Sequence, residues 1–188
     1  MTEYKEVSWK DEFDLGRATL VEHKIDTGDR QPIRQPLRRH PVAHLEIIDQ
    51  KVTDMLQHDI IEPAASPWVS SVVLVRKKND VYRFCVDYRG VSSVTYQDSY
   101  PLPHTEACLN SLDSATWFST LDLRSRYHYI PIKETYRDKT AFITRGRCWR
   151  YKVLPFGLTC APSVFQTLMD LYYAVSLTRP AWYISTTE

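Results

Sequence analysis

The sequence lacks long apolar runs and closely spaced cysteines. No apolar run approaches the roughly 18 residues that a membrane-spanning helix needs, and the polar, acidic first residues do not fit a signal peptide. The cysteines are scattered without a Cys-x-x-Cys pair, which argues against a zinc site or a disulfide framework. They are Cys85, Cys108, Cys148 and Cys160. Free thiols are typical of the cell interior, so we expect a soluble intracellular protein, cytoplasmic or nuclear.

The chain also lacks a large excess of either charge, with a formal net charge of +1 in 188 residues. Such a balance does not by itself predict a polyanionic partner. The charges are unevenly placed, because residues 1–14 carry a net of −3 and residues 137–152 a net of +5. Clustering of this kind can steer nucleic acid to one face, although a solvated charged surface is the ordinary alternative. Hydrophobic residues make up 43% of the chain, which is enough for the core of one domain.

The most informative stretch is FSTLDLRSRYHYI, Phe118 to Ile130. Its first half reads as a short apolar strand with Asp122 at its end, and a polar, aromatic turn follows. A carboxylate at a strand tip is a common ligand of divalent cations, because the strand fixes the side chain while the loop leaves coordination positions open. Further along, LPFGLTCAPSVFQTLMD, Leu154 to Asp170, reads as a strand end, a Pro-Phe-Gly turn and a helix.

Periodicity and turn residues predict the other elements. They are an extended cationic segment over Gln31–Pro41, a helix from Pro41 to about His58, a hairpin of Ser71–Arg76 and Val81–Val86, a second hairpin of 139–144 and 147–154 around Arg145-Gly146, a short helix over His104–Leu112, and a helix from Ala161 to about Tyr173. The polar face of the first hairpin is expected to carry Arg76, Lys77, Lys78 and Arg83. Several cations on such a hairpin are suited to clamping a triphosphate. Lysines that protect an edge hairpin from aggregation are an equally good explanation from the residues alone.

Four ordered blocks carry a family resemblance. The segments VSSVVLVRKKNDVYRFCVDYRG, DSYPLP, FSTLDLRSRYHYI and LPFGLTCAPSVFQTLMD closely resemble the reverse transcriptase domain of gypsy-type LTR retrotransposons. The resemblance covers roughly residues 22–171 and implies an α+β fold, with fingers, an incomplete palm, and an antiparallel sheet with helices packed on one side. The expected divisions are 1–21 as an arm or linker, 22–41 as an extended basic lead-in, 42–116 as fingers with the start of the palm, 117–173 as a partial palm, and 174–188 as a divergent tail.

The resemblance also implies roles for individual residues. Asp122 matches a catalytic, metal-binding aspartate, and the carbonyl of Leu123 matches a further metal ligand. Tyr127 matches the steric gate that disfavours a 2′-hydroxyl, although a tyrosine capping the core is an ordinary alternative. The positions that match nucleotide-binding residues are Lys77, Arg83, Ser125, Arg126, Tyr127, Phe156 and Gly157.

Family members hold two Mg²⁺ ions and transfer a nucleotide from a dNTP to a primer on an RNA or DNA template. Two further carboxylates come from a Tyr-x-Asp-Asp hairpin, and this sequence has no such motif. After Gln166 the acids are Asp170, inside a predicted helix, and Glu188. We therefore expect weak or single-site metal binding and no polymerisation by the isolated chain, which stops short of that motif.

The chain departs from the family elsewhere too. Arg126 stands where the family almost always has glycine, so its side chain would either crowd the nucleotide or add a cation. Tyr129, Cys160 and Ser92 are further departures. Asp26-Thr27-Gly28 is the triplet of retroviral aspartic proteases, but a polar turn without apolar residues follows it, which makes that function a poor alternative.

Two other interpretations remain open. One is a nucleic-acid-binding remnant without enzymatic activity, which would show salt-dependent binding. The other is an unstable product without a function, because an incomplete palm exposes a strand edge. A full-length relative would also have RNase H and integrase segments as partners and would reside in a virus-like particle. No membrane or small-molecule cofactor is expected.

Overall fold

The computed structural model describes residues 16–77, 80–97, 100, 106, 110, 113, 116, 117, 123 and 125–176, without the side chains of 173–176. The helices in these ranges are α1 (Val42–Gln57), α2 (Arg89–Val94), α3 (Glu134–Arg137) and α4 (Ala161–Ser176). The strands are β1 (Ile61–Pro63), β2 (Ser70–Arg76), β3 (Tyr82–Val86), β4 (Phe142–Thr144) and β5 (Arg147–Tyr151). Two 3₁₀ turns cover Arg126–Tyr129 and Asp138–Thr140. None of the helices within the described ranges is long and apolar enough to cross a bilayer.

The bounds of α1 confirm the helix predicted from Pro41 to about His58. Pro41 precedes its first residue with an extended backbone (ψ 152°), and His58 ends it. A proline suits this place because it has no N–H to leave unsatisfied. The buried side chains Ile48, Val52 and Met55 recur every three or four residues and form the face that packs on the core.

The first hairpin also has the predicted strands. β2 pairs antiparallel with β3, with Val75 opposite Arg83 and Arg76 opposite Tyr82. Residues opposite each other share a face of the sheet. Arg76 therefore lies on the face of Tyr82 and not with Arg83, so the predicted cationic face was wrong for Arg76. Arg76 pairs instead with Asp80 at 3.0 Å.

The second hairpin is shorter than predicted. Its strands are β4 and β5, and residues 139 and 140 belong to the preceding 3₁₀ turn. Arg145 and Gly146 connect Thr144 to Arg147 with φ values of 39° and 79°. Two positive φ values in a two-residue connection are those of a type I′ turn, whose twist matches that of the strands.

The five strands form one sheet in the order β1-β5-β4-β2-β3. Three of its neighbouring pairs are antiparallel, as predicted, and β2 and β4 run parallel, which the predicted antiparallel sheet did not include. The junction merges the first hairpin with the second. The buried hydroxyl of Tyr88 donates a hydrogen bond to the Thr140 carbonyl (2.7 Å) across it.

The segment before α1 is extended and closely packed on this framework. His23 bridges to Ile132 and Arg34 bridges to Val69. Ile25 and Thr27 of this segment are buried. The α+β class predicted from the sequence is thus confirmed, with the core between the sheet, α1 and α4.

Candidate nucleotide and nucleic-acid site

Lys77 and Arg83 lie on one side of the first hairpin. Both side chains are exposed. Burial raises the pKa of the Cys85 thiol, and the nearby cations of Arg83 and Lys77 partly offset this effect. Both cations are therefore close to the same thiol, on the face opposite to Arg76. This side of the hairpin presents two positive charges to an anion.

The turn between these strands is held by backbone hydrogen bonds. The Lys77 N–H donates to the Val81 carbonyl (2.9 Å), and the Asp80 N–H donates to the Lys77 carbonyl (3.1 Å). Asp80 has a positive φ of 60°. Lys78, which was predicted to share the cationic face, lies outside the described residues.

An aromatic cluster forms beside the 3₁₀ turn. The Tyr127 ring centroid lies 5.0 Å from that of Phe156 and 5.9 Å from that of Phe165, in edge-to-face geometry. Edge-to-face rings attract each other beyond their shared burial. Tyr127 is only 5% exposed, whereas Phe156 is 45% exposed. The structure thus brings the two predicted residues together, with Phe156 as the accessible ring.

Gly157 joins this cluster to the hairpin. Its φ is +96°, and a Cβ built on it would lie 3.2 Å from the Val86 carbonyl oxygen. Glycine is required on both grounds, because other residues disfavour this backbone angle and would crowd the strand. Val86 is three residues from Arg83 along β3, or about 10 Å. The turn that carries Phe156 is thereby fixed at the end of the strand that carries Arg83.

Ser125 and Arg126 shape the start of the 3₁₀ turn. Ser125 has left-handed backbone angles (φ 46°, ψ 35°), and its carbonyl accepts a hydrogen bond from the His128 N–H (2.8 Å). The Arg126 guanidinium carbon lies 5.1 Å from the Tyr127 ring centroid and 5.7 Å from that of Phe165. Its Nη2 also donates to the Tyr127 hydroxyl at 3.3 Å.

The structure describes only one of the two residues that were predicted to bind metal. Asp122 lies outside the described residues, and so does most of the strand predicted to carry it. Leu123 is 38% exposed. It lines a cavity of about 320 Å³ between residues 16–18 and α4.

Asp170 is held within α4. Its carboxylate accepts hydrogen bonds from the Gln166 amide (2.8 Å) and from the Tyr100 hydroxyl. Among the residues that the structure describes, no three His, Cys, Asp or Glu side chains are grouped as a metal site requires. These residues do not fit a two-magnesium centre by themselves.

The basic stretch 137–152 is largely neutralised by internal partners. Arg150 pairs with Glu62 (2.7 Å) and Asp138 (2.8 Å), and Glu62 also pairs with Arg137. Further partners hold Arg145 to Asp49 and Lys152 to Asp59, and Lys139 donates to the Ile25 carbonyl. The net of +5 therefore overstates the positive charge that this stretch offers to nucleic acid.

One polar network has no counterpart among the predicted site residues. Asp87, at the end of the hairpin, accepts hydrogen bonds from Arg38 (2.9 Å) and Arg89 (2.7 Å). The Arg89 hydrogen bonds lower the pKa of Asp87 to about 2, despite partial desolvation. Gln35 donates to the Asp87 carbonyl and accepts from Ser71. The polar alternation of β3 was the only sequence signal for this network, and its partner Arg38 is far away in the chain.

The Asp26-Thr27-Gly28 segment forms a local turn. The Gly28 N–H donates to the exposed Asp26 carboxylate (2.8 Å), and Gly28 has a φ of 52°. The Tyr96 ring lies 3.0 Å from the position of a Gly28 Cβ. Asp26 is therefore engaged in its own turn within the lead-in to α1.

Comparisons with known proteins assign the family. The family model described as "Reverse transcriptase (RNA-dependent DNA polymerase)" matches residues 75–178. The chain is 38% identical to the retrovirus-related Pol polyprotein from transposon opus of Drosophila melanogaster, over 81% of this chain and 16% of the relative. It is 34% identical to that from transposon gypsy of the same species, over 81% of this chain and 15% of the relative. The chain thus spans about a sixth of these polyproteins.

Solved structures show the same fold. A prototype foamy virus protease-reverse transcriptase matches with a TM-score of 0.84 and 23% identity, over 93% of this chain and 24% of that one. The foamy viral enzyme in complex with an RNA/DNA hybrid matches with a TM-score of 0.76 and 22% identity, over 91% and 23% of the two chains. Together with the cationic hairpin, the Tyr127–Phe156 pair and the constrained Gly157, these matches show that the chain belongs to the reverse transcriptase family, in the branch of retrotransposon Pol polyproteins.

Proposed function

We propose that this chain binds a template-primer and a deoxynucleoside triphosphate as the fingers and partial palm of an RNA-directed DNA polymerase. The observation that carries the proposal is the placement of Lys77 and Arg83 on one face of a hairpin whose far end lies close to Gly157, the neighbour of Phe156. A triphosphate carries several negative charges, and each cation near it contributes a charge-assisted hydrogen bond. The exposed Phe156 ring supplies a surface for the sugar or base.

We also propose that the isolated chain does not polymerise. Asp122 is its single residue that matches a family carboxylate of the active site. Bound Mg²⁺ would supply charge neutralisation at the reacting phosphate, and two such ions need more than one carboxylate to hold them. Asp170 is engaged by Gln166 and Tyr100, so its use would require these bonds to break and α4 to open.

The test is nucleotide and template binding by the intact chain. A labelled RNA/DNA primer-template is bound in a fluorescence anisotropy titration, and a fluorescent dATP is titrated separately. Lys77→Ala and Arg83→Ala are each expected to weaken dATP binding by about tenfold, since a hydrogen bond to a charged group contributes roughly 1.5–3 kcal/mol. Arg147→Ala is the matched control, because Arg147 is an exposed cation on β5 and away from the first hairpin.

Equal losses in all three variants would contradict the proposed site and would favour a general electrostatic attraction. The alternative of a nucleic-acid-binding remnant predicts this equality, with a salt-dependent affinity for the primer-template and no preference for dATP. The internal ion pairs of residues 137–152 remove much of the positive charge on which that alternative relied.

A further inference from the structure

The Arg126 side chain lies against two rings of the aromatic cluster. Its guanidinium lies over the Tyr127 ring, with 5.1 Å between the carbon and the ring centroid, and it also lies 5.7 Å from the Phe165 ring centroid. Both distances are within the range of cation–π attraction. The Nη2 hydrogen bond to the Tyr127 hydroxyl (3.3 Å) adds a second attachment to the same ring. One side chain therefore contacts the face and the polar end of Tyr127.

The rings of this cluster differ in their exposure to solvent. Phe156 packs edge-to-face against Tyr127 and is 45% exposed, whereas Tyr127 is 5% exposed. Phe165, the other ring in contact, is 1% exposed and belongs to the core. Tyr127 thus contacts the exposed ring of Phe156, the core ring of Phe165 and the charged end of Arg126. The Arg126 side chain is half-buried whereas Phe165 lies in the core, so a ligand can displace Arg126 without opening the core.

From this geometry we infer that Arg126 is a built-in cover over Tyr127, which a nucleotide must displace before its sugar can contact the ring. The inference rests on the proposed nucleotide site and adds an autoinhibitory contact to it. Planarity matters here, because a guanidinium can lie flat on an aromatic face while an ammonium cannot. A site that is open in only a fraction of the molecules binds its ligand more weakly by that fraction.

The same contacts argue against Arg126 as a ready phosphate ligand. A guanidinium that donates to Tyr127 and stacks on two rings must first give up these contacts to reach a triphosphate. Removal of the side chain is therefore expected to strengthen nucleotide binding. A phosphate ligand would have the opposite effect on removal.

The test combines a chemical probe of Tyr127 with a binding measurement on the full chain. Tetranitromethane nitrates accessible tyrosines, and peptide mass spectrometry reports the rate at each one. Tyr96, at 68% exposure, is the reactive internal reference, and Tyr88, at 1%, is the protected one. In the unmodified sequence, Tyr127 is expected to react as slowly as Tyr88. In Arg126→Ala its rate is expected to rise at least fivefold towards that of Tyr96.

Binding of fluorescent dATP is measured on the same proteins. Arg126→Ala is expected to lower the Kd for dATP by about tenfold. A decrease of this size is expected if Arg126 covers Tyr127 in most of the molecules, because the apparent affinity of a site falls with the fraction of molecules in which it is open. Arg126→Lys is the second variant, and it is expected to free Tyr127 as well because it keeps the charge without the planar stack. Continued protection of Tyr88 in each variant shows that the core is still folded.

If Tyr127 stays protected from nitration in both variants, the inference is overturned, because the core alone would then shield the ring. A freed Tyr127 with an unchanged or higher Kd would overturn it as well, since Arg126 would not compete with the nucleotide. The absence of dATP binding in all proteins, including the unmodified one, would instead contradict the proposed function, and the cover would then have no nucleotide to exclude.

Discussion

At the scale of single residues, two glycines with similar backbone angles have different surroundings. Gly157 (φ +96°) would place a Cβ 3.2 Å from the Val86 carbonyl, whereas Gly146 (φ +79°) has nothing within 4 Å of that position. Gly157→Ala is expected to lower the free energy of unfolding by about 2–3 kcal/mol, from backbone strain and crowding together. Gly146→Ala is expected to cost about 1 kcal/mol, from backbone strain alone.

Urea unfolding of the two variants measures this difference. The comparison isolates the contact with β3, because both substitutions place alanine at a positive φ. An equal loss of unfolding free energy in both variants would show that the turn around Gly157 can shift away from Val86. Phe156 would then not be held in a fixed position relative to the hairpin.

Asp87 is a second residue with a specific expected behaviour. Its pKa is lowered to about 2 by hydrogen bonds from Arg89, with a smaller contribution from Arg38. Because the folded pKa lies below the unfolded value, this carboxylate stabilises the fold above about pH 4 and loses its effect as the pH falls towards 2. Asp87→Asn is expected to cost about 1–2 kcal/mol at pH 7, a range reduced for the exposure of its arginine partners.

Unfolding titrations between pH 7 and pH 3 test the sign. The gap in stability between the original chain and Asp87→Asn should narrow below pH 4. Asp80→Asn is the matched control, because the Asp80–Arg76 pair has a similar separation of 3.0 Å, yet both of its side chains are mostly exposed. A gap that stays constant with pH would show that the charge of Asp87 is not what stabilises the network.

At the scale of elements, arginines of the basic stretch connect β1 to β5 and to the 3₁₀ turn beside them. Arg150, with a side chain 22% exposed, binds both Glu62 and Asp138. Arg150→Ala removes the Asp138 pair and leaves Glu62 with only the longer pair to Arg137, so a loss of about 1–3 kcal/mol in the free energy of unfolding is expected. Arg147→Ala, on the same strand but exposed, should leave stability unchanged.

Thermal or urea unfolding of both variants checks this assignment. If Arg147→Ala were as destabilising as Arg150→Ala, the stabilising effect would come from the charge of the stretch as a whole. Primer-template binding should remain close to that of the original chain in Arg150→Ala at concentrations where the variant is folded.

The elements themselves could largely be predicted from local sequence. Pro41 and the apolar spacing that follows it fixed α1, and the β-branched run Ser71–Arg76 with its return strand fixed the first hairpin. Arg145-Gly146 marked the second turn through its need for positive φ. The parallel pairing of β2 with β4 and the short strand β1 could not be predicted, because non-local pairing leaves no periodic signal in one sequence.

The candidate site likewise has parts that could be predicted from local sequence and parts that could not. Phe156, Gly157 and Tyr127 could be assigned from motif position, and the structure brings them together. The stacking of Arg126 and the Arg38–Asp87 contact depend on side-chain packing between distant segments, which the sequence does not encode as a local pattern. Asp122 and most of its strand remain predictions.

At the scale of the whole molecule, this member of the reverse transcriptase family contains the cationic first hairpin and the Tyr127–Phe156 pair in its 188 residues but no Tyr-x-Asp-Asp motif. We expect nucleotide binding and catalysis to be separated in this chain. Binding needs cations and rings, which are present, whereas phosphoryl transfer needs additional carboxylates to hold two metal ions.

Primer extension under single-turnover conditions tests that claim most directly. The assay uses an RNA template, a DNA primer, dNTPs and Mg²⁺, with this chain, a version extended by a Tyr-x-Asp-Asp hairpin, and the extended version with Asp122→Asn. We expect a bound but unextended primer with this chain, and incorporation by the extended version that is lost with Asp122→Asn. Incorporation by the unextended chain would contradict this expectation.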